Sequence, residues 1–305
     1  MRNILKASTL ENKFPLLRVE EGYIISKDAD ITVAFRVDLP ELFTVTASEY
    51  EAIHATWAKA IKVLPDYSIA HKQDWFIKEN YKPDFSMDNR DSEEELSFLA
   101  RSFEQHFNER PYLNHACFLY LTKTTKERMR QQSNFNTLCR GFLVPKEIRD
   151  KETVTGFLEA VGQFERIVNE SEFVRLTRLA NDEIIGTKES PGIIEKYFSL
   201  SLEKTTVLKD IQLNPDYMRI GDDFLCLHTL SDVDDLPSKV ATDNRYEKLS
   251  TDRSDCRLSF AAPVGVLLGC NHIYNQYIFI DEHTENLNRF EKQARNMHSL
   301  SRYSR

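Results

Sequence analysis

The run "LHTLSDVDDLP" places His228 close to Asp232, Asp234 and Asp235. An imidazole near paired carboxylates can move protons or help hold a metal ion, so this run is the candidate hydrolase or metal-dependent site. The plainer reading is a helix start, with Ser231 or Asp232 as the cap and the remaining acids favouring the N-terminus. A second candidate pairs His115 with Cys117, two apart and so on one face of a strand, with Cys139 further on. No His-x-x-x-His or Cys pair completes a zinc set, and a buried thiol beside a strand-end histidine accounts for these residues more simply. His71 and Asp74 repeat the His–carboxylate theme at short spacing.

Nucleotide chemistry has no foothold. A phosphate-cradling loop needs a Gly-Lys pair, and the chain contains none; Gly-x-Gly-x-x-Gly is absent too. No cofactor site is expected in this segment. The stretch "KTTKERMRQQSNFNTLCR" sets Lys123, Lys126, Arg128, Arg130 and Arg140 against a single acid, Glu127. In a chain of net charge −8 this is a local basic patch. It suits an acidic partner or an anionic lipid surface, and otherwise is a solvated helix face. The alternating charges of 242–257 read as a functional or plain surface loop. Asn169-Glu-Ser171 matches a glycosylation pattern but falls in a helix.

The elements that would position these residues follow from periodicity. Ile31, Val33, Phe35, Val37 and Leu39 alternate with Thr32, Ala34, Arg36 and Asp38, a half-buried strand joined by a turn to a shorter one at Tyr23–Ile25. Ser48 and Glu51 form a capping box for a helix with stripe Ile53, Trp57, Ile61 and Leu64, stopped by Pro65. A strand over 67–77, a helix from Ser92 and Glu95, and the central strand "ACFLYL" follow. Pro145 opens a further helix with stripe Val154, Leu158, Val161, Phe164 and Val168, and "EFVRLTRL" supplies a fourth strand. This order, strand–helix–strand twice with one helix inserted, predicts a ferredoxin-like α+β domain over residues 1–180. A second, smaller and incomplete α+β domain is expected over 181–305. It holds a short helix through Tyr197 and Phe198, strands around Gly221, and strands in "DCRLSFAAPVG" and "IYNQYIFI". A closing helix buries Leu287, Phe290, Ala294 and Met297 and is ordered to about Met297.

Composition sets outer bounds. With 41% apolar and 29% charged residues the 305-residue chain can build real cores, and nine glycines leave little room for Gly-rich ligand loops. The acidic balance argues against a general nucleic-acid coat. Five cysteines without a CxxC fit a reducing compartment. The most apolar run, Ala261 to Cys270, is too short for a membrane helix and is expected to be buried or interfacial. The closing helix has no terminal cap, which reads as a chain cut from a longer one.

Longer strings go beyond these patterns. "MRNILKASTLENKFPLLRVEEGYIISKDADITVAFRVDLPELFTVT", "HKQDWFIKENY", "SFEQHFNERPYLNH" and "YEKLSTDRSDCRLSFAAPVG" resemble the N-terminal region of the TraG proteins of conjugative transposons. Those proteins belong to the ATPase family of type IV secretion and conjugation systems. The resemblance runs the whole length of the chain, in order, with "SLSRYSR" matching a point well inside those proteins. It implies a non-catalytic docking and assembly region preceding a RecA-like motor, with ATP and Mg held only in that motor. The implied partners are inner-membrane subunits of the conjugation channel and the chain's own C-terminal motor domain. The implied assembly is a hexamer, in the bacterial cytoplasm at the inner face of the inner membrane. Direct contact of the basic patch with single-stranded DNA is a weaker expectation.

Overall fold

The computed structural model describes residues 15–41, 44–80, 102, 105–107, 109–126, 151–200, 210–229, 244–248, 250–258 and 268–303. It is an α+β protein. Three short strands begin it: β1 (Leu16–Glu20), β2 (Tyr23–Ser26) and β3 (Ile31–Asp38). Helix α1 (Ala47–Ile61) leads to the long strands β4 (Ser68–Glu79) and β5 (Tyr112–Lys123). Helix α2 (Lys151–Asn169) then returns the chain to β6 (Arg175–Arg178).

The strand order β6–β3–β5–β4 is the split βαβ arrangement expected of a ferredoxin-like domain. The alternation of β3 sets its place. Val33, Phe35 and Val37 are buried, while Arg36 and Asp38 face out. One edge of β3 serves two partners. Its first half pairs with β2, Tyr23 opposite Val33, and its second half with β6, Phe35 opposite Arg178. The β1–β2 hairpin turns at Glu21 and Gly22, both at positive φ (53° and 80°), as a tight hairpin with right-handed strand twist demands.

Helix α1 starts two residues earlier than its sequence pattern suggests. Thr46, not Ser48, is the cap. The Glu49 amide donates to Thr46 Oγ1 at 3.4 Å, and the Thr46 amide donates to Glu49 Oε2 at 2.7 Å. Thr46-x-x-Glu49 and Ser48-x-x-Glu51 are the same signature offset by half a turn, and the earlier start gives the helix more backbone hydrogen bonds. Helix α2 buries Phe157, Val161, Phe164 and Val168, and Phe164 meets Trp57 of α1 edge-on at 5.9 Å. Its last residue, Asn169, clips β6 by both ends of its amide: Nδ2 donates to the Leu176 carbonyl and Oδ1 accepts from the Leu176 amide.

The chain then forms α3 (Asn181–Ile185) and α4 (Ile193–Ser199). In each, the glutamate at the third position reaches back to the amide before the helix, Glu183 to Ala180 and Glu195 to Gly192. A meander of β7 (Ile211–Leu213), β8 (Met218–Ile220) and β9 (Asp223–Leu225) turns at Gly221, as expected. Strands β10 (Asn244–Arg245) and β11 (Arg257–Leu258) pair with each other. They close the described part of the charged 242–257 stretch, where Arg245 lies 3.0 Å from Asp255. Strand β12 (His272–Ile280) joins the large sheet beside β4 and passes into α5 (His283–Tyr303).

Two compact units result, and neither is continuous in sequence. The sequence pattern alone divides the chain at 180/181. The first unit gathers 1–72, 118–186 and 276–305; the second gathers 73–117 and 187–275. The first contains β1 to β3, α1, α2, β6, the start of β4 and the end of β5, with the second half of β12 and all of α5. The second is built on Trp75, which is fully buried, touches Tyr197 of α4 and donates from its indole to Gln73. Along β4 the phase of burial shifts. Ser68 and Ala70 are buried first, then Gln73, Trp75 and Ile77, and the shift falls where one unit gives way to the other.

Candidate docking surface

The residues singled out for chemistry do not assemble into a reaction centre among the described residues. His228 lies exposed in the coil after β9, and Asp232, Asp234 and Asp235 are outside the described residues. His115 and Cys117 share β5, but Cys117 is buried and Cys139 is outside the described residues. His71 does not take Asp74. Its ring stacks on Tyr277 at 4.0 Å and lies 5.4 Å from Tyr120. Asp74 belongs to His115, whose Nε2 sits 3.0 Å from Asp74 Oδ1 while Phe76 stacks on the imidazole. Among the described residues no group of three or more His, Cys, Asp and Glu could hold a metal ion.

The expected basic patch is visible only in part. Arg128, Arg130 and Arg140 lie outside the described residues. Lys123 donates to the Asp66 and Thr124 carbonyls and stands 5.5 Å over the Tyr67 ring. Lys126 is turned to the closing helix, with Glu285 at 2.7 Å and Glu282 at 3.4 Å. Both described cations therefore hold the fold together at the base of α5. The Tyr67 hydroxyl donates to Glu282 Oε2 at 3.0 Å, and the Tyr67 amide to the Ile280 carbonyl at 2.7 Å. Desolvation, followed by that carboxylate, raises the Tyr67 phenol above its ordinary pKa.

Beyond this anchored first turn α5 changes character. The stripe Leu287, Phe290, Ala294 and Met297, expected to pack on the sheet, stays outside. Leu287 is 50% exposed, Phe290 58% and Met297 73%. The correction is geometric. Strand β12 already pairs with β4, and Lys126, Tyr67, Glu282 and Glu285 fix only the first turn, so the stripe points away from the unit's own core. Helix α5 also continues past Met297 to Tyr303. Next to it, β12 ends the strand order of the large sheet and carries the exposed Tyr277, Ile278 and Phe279. Rings and aliphatic chains in this number do not stay in water without cost, and contiguous exposed apolar residues mark interaction sites.

A second exposed apolar group sits on the meander of the other unit, where Leu213, Phe224 and Leu227 are each more than three-fifths exposed. Of the apolar run Ala261 to Cys270, residues 261–267 are outside the described ones, and Leu268 and Cys270 are exposed. No described helix is long and apolar enough to cross a membrane.

Sequence periodicity finds the α5 stripe and assigns it to the interior. The missing signal is its neighbourhood.

Residues 3–55 match a family described as a domain of unknown function, B. Theta Gene description (DUF3875). The match takes in β1 to β3 and the first half of α1. No curated protein matches the chain.

Proposed function

We propose that this chain is a non-catalytic docking and assembly region of a conjugative DNA-transfer ATPase of the type IV secretion class. Its role is to link the motor to inner-membrane subunits of the conjugation channel, from the cytoplasmic side. Support comes from the long TraG-like strings, in order along the chain, and from one structural observation. Among the described residues of the first unit, β12 and α5 carry most of the large exposed apolar side chains, Tyr277, Ile278, Phe279, Leu287, Phe290 and Met297, the kind of surface a docking module needs. ATP, Mg and the hexameric assembly belong, on this reading, to the motor domain.

The test is capture of the intact 305-residue chain against each membrane subunit encoded by the same transfer operon. The expected outcome is saturable retention of at least one subunit. Retention of none, under conditions where the subunits are folded, overturns the proposal. The alternative of a hydrolase or metal-dependent site at His228–Asp235 rests on the sequence alone.

A further inference from the structure

We draw no further inference here: the strongest candidate, the exposed apolar stripe of α5 with the neighbouring end of β12, belongs to the docking surface already described, and nothing among the described residues shows what covers it.

Discussion

The Lys126 ammonium lies 2.7 Å from the Glu285 carboxylate, 159 residues further along the chain. A cation that the sequence offers to an outside partner is thus spent inside the unit, on the first turn of α5. Lys126→Glu places three carboxylates together there, with Glu282 and Glu285. The pair is only partly buried, so the loss in global stability should stay within about 1 kcal/mol. The local effect should be larger. Amide exchange in 283–289 should accelerate while that of β3 and β5 stays unchanged, measured by hydrogen exchange with mass spectrometry. Unchanged exchange at the helix base would mean that Tyr67 alone anchors it.

The His115–Asp74 pair gives a second expectation. The Asp74 side chain is 9% exposed and the imidazole 37%. Asp74→Ala removes a buried acceptor and should cost about 1–3 kcal/mol in urea unfolding. His115→Phe keeps an aromatic ring on Phe76 and removes only the Nε2 contact, and should cost less. If Asp74→Ala is neutral, the pair has no structural role and its geometry would have to be explained by function.

How far the fold is legible in the sequence can be seen in β3 and β12. In β3 the alternation of Val33, Phe35 and Val37 with Thr32, Arg36 and Asp38 is plain in the sequence, although Ala34 on the second face is buried too, and the strand and its hairpin with β2 follow. "IYNQYIFI" also reads plainly as a strand, but nothing in it says which sheet it joins. Pairing with β4 depends on contacts such as Gln73 to Asn275, 202 residues apart. Short-range pattern cannot reach that distance, and it groups the strand with its neighbours in sequence. The same limit separates His71 from its ring partners and offers it Asp74. Two residues three apart in sequence look adjacent, while the true partner of Asp74 comes from the next strand. The α5 stripe shows the opposite limit. Its period is plain in the sequence, but period alone does not distinguish a buried face from an exposed one.

Glu172 sits at φ 63° in the turn between α2 and β6, a conformation that costs a non-glycine residue about 1 kcal/mol or more. The residue is exposed, so its side chain makes little packing to lose. Glu172→Gly should therefore stabilise the chain by roughly 0.5–1 kcal/mol despite the greater freedom of glycine in the unfolded state. A thermal melt shifted upward by a few degrees is the expected result. A downward shift would show that the Glu172 side chain holds the turn.

Glu49 makes the start of α1 sensitive to acid. The Thr46 amide donates to its carboxylate at 2.7 Å and the Thr46 hydroxyl at 2.8 Å. The backbone bond, followed by the hydroxyl, holds the Glu49 pKa below its ordinary value. A group whose pKa is lower in the folded state stabilises above the unfolded value, and loses that contribution as pH falls through the folded one. The benefit of Glu49 over Glu49→Gln should therefore be present at neutral pH and shrink below about pH 4, the ordinary range of a glutamate. Thr46→Ala removes the other half of the box and should cost about 1 kcal/mol at pH 7, the usual value of an N-cap. Combining the two substitutions should cost less than the sum of the separate effects, because each removes the partner of the other. The measurement is urea unfolding of the four proteins at pH 7 and at about pH 3.5, below the ordinary glutamate value. A strictly additive double substitution, or a Glu49→Gln deficit that does not diminish at the lower pH, would mean that the cap and the carboxylate act independently.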